Sequence, residues 1–288
     1  MMRIAIPNKG RLADSALETF ELAGLKPEFR AERALVARLG SEFQAIFVRA
    51  QDIPEFVADG AAELGITGRD LVEESSRIEV VELLDLGFGR CRLIVAVRDE
   101  SPVASPGELP EGTRVATSFP KLARRYFEGL GNSIQIVPVS GAAEIAPHLG
   151  VADAIVDLVS TGSTLRVNGL KEIGTILDSS ALLIGNRKAL GDPTSGRSRD
   201  ELVMALESVL RAREKRYLMA NVPRARLEEV RKVLPGISGP TIVDVLDRGT
   251  WVAAHAVVDA GQVYQTIARL KALGAEGILV TRIERLMP

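Results

Sequence analysis

Residues 144–165 read EIAPHLGVADAIVDLVSTGSTL. The apolar spacing of the first part predicts a helix over 142–149. A short apolar strand, Ala154–Val156, follows and delivers Asp157. Ser160, Thr161, Gly162, Ser163 and Thr164 then make a turn of small, hydroxyl-bearing residues. Helix, buried strand and polar loop form one repeat of a parallel α/β sheet, where ligands collect beyond the carboxyl ends of the strands. Small residues let the backbone approach an anion closely. Turn N–H groups converge on it, and Ser and Thr hydroxyls add donors. Asp157 stands one loop away, within reach of ribose hydroxyls. The segment therefore suits a ribose 5-phosphate; taken alone it reads more readily as an ordinary Ser/Gly turn with an N-capping Asp, because short motifs recur by chance.

Outward from this stretch the alternation continues. Strands Thr113–Ala116 and Ile134–Pro138 flank a helix at Lys121–Leu130, and strands Ile173–Asp178 and Ala181–Asn186 follow. Ser101–Gly112 reads as a surface linker. An earlier set runs through strand Arg3–Pro7, helix Arg11–Ala23, strand Glu42–Arg49, helix Ile53–Asp59 and strand Leu64–Thr67, then strands Val80–Leu86 and Cys91–Val97. Two α/β lobes joined by crossing strands place a ligand cleft between them. Gly191–Ser198 is a polar turn, and Arg199–Arg213 an amphipathic helix.

The period then changes. Strand Arg216–Val222, helix Arg224–Leu234, strands Thr241–Leu246 and Trp251–Val258 parted by Asp247–Arg248–Gly249–Thr250, helix Gly261–Leu273 and strand Gly277–Ile283 give the order βαββαβ. The fold class is α/β: a two-lobed, periplasmic-binding-protein-like core with a ferredoxin-like C-terminal domain. The boundaries read as lobe one at 1–92 completed by 187–214, lobe two at 93–186, and the tail at 215–288.

Charge excludes one class of partner. The 288 residues carry 36 Lys and Arg against 38 Asp and Glu, so no net basic field exists to hold a nucleic acid. Cys91 is the single cysteine, which rules out an internal disulfide framework, and no apolar run is long enough to span a bilayer. These features fit a cytoplasmic protein. His148 and His255 lie far apart in sequence, against a zinc site. We read His148 as structural and Cys91 as a small packing residue rather than a nucleophile.

Candidate ligand contacts cluster where strands end. Lys9, Gly10 and Arg11 follow the first strand, Arg49 ends another, and Asp70 follows a third. Cations converging on one cleft suit pyrophosphate and triphosphate groups. A single Lys or Arg is usually a solvated surface charge; three strand ends pointing one way favour a site. Arg90 and Arg92, at the lobe crossing, are weaker candidates.

The spacing and type of Glu144, Gly150, Ala152, Ile155, Asp157, Leu158, Thr161, Gly162, Thr164 and Leu165 resemble the signature of the ATP phosphoribosyltransferase family. Residues 7–12 (PNKGRL), 49–54 (RAQDIP) and 65–70 (GITGRD) look like the same family. The resemblance covers the whole chain, and the tail matches the long form, which carries its own regulatory domain and needs no synthetase-like partner subunit. It implies transfer of the 5-phosphoribosyl group of phosphoribosyl pyrophosphate to N1 of ATP, opening histidine biosynthesis. Asp157, Lys9 and Arg49 would be catalytic. Asp157 and Ser160–Thr164 would hold the phosphoribosyl group. Lys9, Gly10, Arg11, Arg49, Asp70, Ser118 and Phe119 would hold ATP and pyrophosphate, with Phe119 as a wall against adenine where relatives often have Tyr. Mg²⁺ would arrive on the phosphorylated substrates. Histidine would bind the tail as inhibitor through Asn221, where some relatives have Asp, and through Ile237, Ser238, Gly239, Pro240 and Thr241. The chain would be a homo-oligomer, dimer to hexamer, without nucleic acid or membrane.

Two other readings stand beside this one. A pair of α/β lobes with a GITGRD turn also resembles a solute-binding protein, and such lobes serve as effector domains of transcription regulators. The first lacks a signal peptide at the N-terminus and the second a helix-turn-helix segment.

Overall fold

The computed structural model describes residues 1–29, 34–191, 193–245 and 249–287. The chain divides into two compact units: Met1–Glu18 with Lys26–Arg199, and Thr19–Leu25 with Asp200–Pro288.

The first unit holds both lobes. It runs β1 (Met2–Pro7), α1 (Arg11–Leu22), β2 (Pro27–Phe29), β3 (Val36–Leu39), β4 (Phe43–Val48), α2 (Ile53–Ala58), β5 (Leu64–Gly68), α3 (Arg69–Ser75) and β6 (Val80–Asp85). The chain then crosses to β7 (Cys91–Arg98), β8 (Thr113–Thr117), α4 (Pro120–Gly129), β9 (Ile134–Pro138), β10 (Ala154–Val159), α5 (Ser163–Val167) and β11 (Leu170–Ser179). It returns through β12 (Ala181–Asn186) and α6 (Arg187–Leu190) and enters α7 (Pro193–Arg213), which belongs to the second unit from Asp200 onward.

The first sheet has the order β2-β3-β4-β1-β5-β12-β6 and the second β11-β7-β10-β8-β9. β1 is parallel to both β4 and β5, and β8 is parallel to both β9 and β10. Each lobe thus has a block of parallel strands whose carboxyl ends lie on one edge. Both faces of the second sheet are covered: Leu93, Val95, Val115 and Val156 pack with Leu122 and Phe127, while Ile94, Ala96 and Ile155 pack with Ala143 and Leu165. This two-residue alternation gives two buried faces from one strand run.

β5 is buried along its whole length. Gly65 lets α2 lie directly on it: a Cβ there would come within 2.5 Å of Ile53 Cγ2 and 2.8 Å of Val57 Cγ2. Overpacking of this kind costs about 1–3 kcal/mol. Gly65→Ala is therefore expected to lower the thermal unfolding midpoint by several degrees; an unchanged midpoint would mean that α2 moves aside without penalty.

In the second unit β13 (Lys215–Pro223), α8 (Leu227–Val233), β14 (Thr241–Asp244), β15 (Trp251–Asp259), α9 (Val263–Ala272) and β16 (Glu276–Arg282) form an antiparallel sheet of order β14-β15-β13-β16. Leu218, Ala220 and Val222 alternate inward and meet Val230, Leu234 and Leu270 from the helices. This is the ferredoxin-like order expected of the tail. Among the described residues no helix is long and apolar enough to cross a membrane.

Several expectations need correction. Residues 142–149 are not a helix: a single 3-10 turn at Ala143–Ile145 is entered from Ala142 in left-handed conformation, φ 51°, and gives way to turns around Pro147 and Gly150. β10 runs to Val159, so Asp157 lies within the strand opposite Ile94 rather than beyond it. Residues 193–198 are the opening of α7 rather than a turn, because Pro193 is tolerated in a helix's first turn. β12 pairs with β5 and β6, so the return to lobe one comes at Ala181 instead of 187. The tail's unit takes in 200–214 and Thr19–Leu25, ahead of the expected boundary at 215. Of the β14–β15 connection, residues 246–248 lie outside the described residues, as does residue 192.

Candidate active site

In the first lobe the Asn8 N–H donates to Val48 O at 2.8 Å, holding the exit of β1 beside that of β4. Lys9, Gly10 and Arg11 follow at once, with Gly10 at φ +82°, and Arg49 follows β4. Lys9 and Arg49 therefore leave adjacent parallel strand ends, and both side chains are exposed. Among the described residues neither they nor Arg11 form an ion pair, whereas Arg3 pairs with Glu63 at 2.7 Å and Arg69 with Glu82 at 2.8 Å. Uncompensated cations at strand ends are free to meet an anionic ligand.

Asp70 behaves differently from the expected ligand contact. It is 4% exposed. Its carboxylate accepts from Ser179 Oγ, and its own N–H donates back to that oxygen at 3.1 Å. Burial pushes its carboxyl above the usual range, opposed by the Ser179 hydrogen bond. A Cβ at Gly68 would collide with Asp70 Oδ1, so the glycine of this turn makes room for the inward-folded carboxylate. Asp70 faces the lobe crossing, not solvent. Ser180 Oγ makes a parallel bond to Asp85 Oδ1 at 2.8 Å.

Between these crossings lies a cleft of about 520 Å³ lined by Arg69, Arg90, Cys91, Arg92, Ser160 and Ser179, among others. The half-buried Cys91 thiol is pushed up by burial and by the Asp70 charge; Ser179 and Arg11 oppose this. A thiolate nucleophile is disfavoured there. Arg92 is held by Glu172, with one bond at 2.9 Å.

In the second lobe Ser118 follows β8 and the Ser160–Thr164 loop follows β10, again adjacent parallel strands. Asp157 is half-buried and accepts the Leu158 N–H at 2.8 Å. Burial, and secondarily the Glu144 charge, raise its carboxyl above the usual range. Glu144 and Asp157 thus share one neighbourhood, a proximity the sequence spacing did not announce. Thr161 Oγ1 and Ser163 Oγ are 3.0 Å apart, and Gly162, at φ +71°, precedes α5. Arg166 reaches back over this glycine: a Cβ there would sit 3.6 Å from Nη1. It lies in α5, and as a lone Arg it carries no distinguishing signal in the sequence. Phe119 is a correction. It is 5% exposed and packs with Leu122, Ala123 and Phe127, so it anchors the second lobe's core instead of walling the cleft. Its spacing to 122, 123 and 127 is helical, and that signal was available.

Among the described residues no three His, Cys, Asp or Glu side chains are grouped to hold a metal ion.

In the second unit Asn221 is exposed on the face of β13 opposite the core, with Gly277 close enough that a Cβ there would lie 3.2 Å from Asn221 Nδ2. Ile237, Ser238 and Gly239 form an exposed turn, with Pro240 half-buried. The turn is closed by Gly236, whose φ of +60° and contact with Gly239 leave no room for a side chain. Thr241 opens β14 opposite His255, while Asn221 is opposite Ala253. The two therefore share a sheet face with β15 between them, about 12 Å apart: two strand spacings across and two residues along.

Comparison with known proteins agrees with this architecture. The ATP phosphoribosyltransferase family matches residues 49–209, more than half of the chain, and the family described as "HisG, C-terminal domain" matches residues 212–285. An ATP phosphoribosyltransferase of Gemmatimonas aurantiaca is 60% identical over 295 residues, and one of Natronomonas pharaonis 50% identical over 288, each covering 100% of both chains. A solved chain of the ATP phosphoribosyl transferase (HisG:HisZ) complex from Thermotoga maritima superposes with a TM-score of 0.64 at 27% identity, over 73% of this chain and 99% of that one. With two lobes, their paired strand ends and a ferredoxin-like tail all in place, the chain belongs to the ATP phosphoribosyltransferase family and is a phosphoribosyl-transferring enzyme of histidine biosynthesis.

Proposed function

We propose that the enzyme joins C1′ of phosphoribosyl pyrophosphate to N1 of ATP and releases diphosphate, and that its tail binds histidine as a feedback inhibitor. The observation carrying the first part is the shared cleft. Ser160, just past β10 in the second lobe, and Arg69, at the start of α3 in the first, both line it. Polar groups from both lobes thus border one space.

The reaction needs no protein nucleophile. The N1 lone pair forms the new bond to C1′ as the bond from C1′ to the pyrophosphate oxygen breaks, with inversion. The electron pair leaves with diphosphate. Positive charge grows on the ribose, so positioning and electrostatics do the catalysis. Asp157 opposes that charge and accepts from ribose hydroxyls. Hydroxyls and N–H groups of residues 160–164 hold the 5-phosphate, and Lys9, Arg11 and Arg49 neutralise the departing pyrophosphate. Mg²⁺ comes bound to the substrates, as a hard, water-retaining cation does on polyphosphates. Ser118 stands on the ATP side. This reading places the enzyme in the cytoplasm as a homo-oligomer, dimer to hexamer, with no synthetase-like partner subunit.

The test is to mix protein, Mg²⁺, ATP and phosphoribosyl pyrophosphate and look for the phosphoribosyl-ATP adduct by mass. No adduct, together with tight binding of an unrelated solute, would favour the solute-binding reading instead.

For the tail, histidine is expected to inhibit adduct formation, with binding seen by calorimetry. Asn221→Asp should tighten that binding, because a carboxylate pairs with the effector's ammonium where an amide only hydrogen-bonds to it. The gain is about three- to ten-fold. Full-length protein that binds no histidine would make the tail an assembly module.

A further inference from the structure

α3 belongs to the first lobe, yet three of its residues bond to the second. Glu74 Oε1 accepts the Lys121 N–H at 3.0 Å and Oε2 the Leu122 N–H at 2.9 Å. Lys121 Nζ donates to Ser75 O at 2.9 Å, and Arg125 pairs with Glu73 at 2.8 Å. The first two bonds complete an accounting at the start of α4. The N-cap residue, Phe119, supplies no side-chain bond. Pro120 has no N–H, and the Ala123 N–H returns to Phe119 O at 3.0 Å. Lys121 and Leu122 are left with free donors at the positive end of a helix, and Glu74 satisfies both from the opposite lobe.

The turn before α4 carries Ser118. On one side it is fixed by the end of β8, where the Phe119 N–H donates to Thr117 Oγ1 at 2.9 Å, and by the buried Phe119 ring. On the other side it is fixed by the α4 terminus that Glu74 holds. No bond of Glu74 reaches the loop after β10 among the described residues, and that loop is anchored by its own helix, α5.

We infer that Glu74 is a positioning residue for ATP: by capping α4 across the lobe boundary it fixes the Ser118 turn and ties the ATP side of the cleft to the spacing of the lobes. This rests on the assignment of ATP to that turn. A carboxylate from one lobe on the helix terminus of the other makes the turn's geometry depend on both lobes at once.

The experiment uses the full chain with Glu74→Ala and Glu74→Gln, measuring KM for each substrate, kcat, thermal midpoint, and amide exchange at Lys121 and Leu122 without substrate. Glu74→Ala should speed exchange of both amides and raise KM for ATP about ten-fold, a lost cap's worth, with KM for phosphoribosyl pyrophosphate within about two-fold of wild type. Glu74→Gln keeps one acceptor oxygen and should fall between. Unchanged exchange overturns the cap. Faster exchange with unchanged KM values, or with both raised equally, makes Glu74 merely structural and overturns its role toward ATP. A wild-type protein that forms no adduct overturns the proposed reaction, and this role with it; active wild type with an indifferent Glu74→Ala overturns this role alone.

Discussion

Asp157→Asn is expected to lower turnover about 100-fold, the size of effect seen when a preorganised electrostatic group is lost at a reacting centre, and at the same time to raise the thermal midpoint. The two effects have one origin. Burial and the Glu144 charge hold the Asp157 carboxyl above its ordinary range. A group whose pKa is raised in the folded state contributes stability that is fully present below its unfolded pKa and is lost as pH rises through the folded value. At neutral pH the ionised Asp157 therefore weighs against the fold, and Asn removes that charge at nearly constant volume. The stability gap between variant and wild type should be widest near neutrality and close on acidification, as wild type takes up its proton. Turnover of wild type should fall over the same window, above the pH at which an ordinary carboxylate titrates. Steady-state rates and melts across that range check both. Unchanged turnover with unchanged phosphoribosyl pyrophosphate affinity would remove Asp157 from the site, and a pH-independent gap would remove the electrostatic cause.

Arg49→Ala should weaken binding of the phosphorylated substrates about 10- to 100-fold, the value of a charge-assisted hydrogen bond converted to affinity. Its side chain is exposed and, among the described residues, has no carboxylate to pair with. Stability should therefore hardly move. Exposure also sets the salt dependence: the attraction is screened, so the difference from wild type should shrink as ionic strength rises. Substrate titrations at low and high salt measure this. Wild-type affinity at both would return Arg49 to the solvated surface and break the strand-end assignment at that position. A loss of equal size at both salts would mean that the bound ligand buries the guanidinium.

The parallel blocks, the cleft and the tail's strand order were legible because they rest on long apolar runs with clear periods. What escaped was short or set by tertiary context. β2 and β3 are 3 and 4 residues long, too brief for alternation to register. α3 reads as a charged stretch, RDLVEES, and is recognisable only through what it touches: Ser179, and the amides of α4. Residues 142–149 have helical spacing, but Pro147 and Gly150 stop the helix after one turn, an instance of breakers overriding periodicity. The places of Lys9 and Arg49 after adjacent parallel strands, and of Ser160–Thr164 after β10, were visible in the sequence. Asp70 was misplaced because a carboxylate after a strand looks the same whether it turns outward to ligand or inward to Ser179; Gly68, which admits the inward turn, was the telling residue.

β12 lies in the first sheet between β5 and β6, although the whole second lobe separates it from β6 in the chain. During synthesis the two lobes therefore mature out of order. Residues 91–179 are contiguous and can condense as soon as they have left the ribosome. The first lobe, begun earlier, must wait with β5 and β6 unjoined until residue 186 emerges. Its exposed strand edges are the nascent chain's aggregation hazard over that interval, and the early-made half of the enzyme is the one finished last.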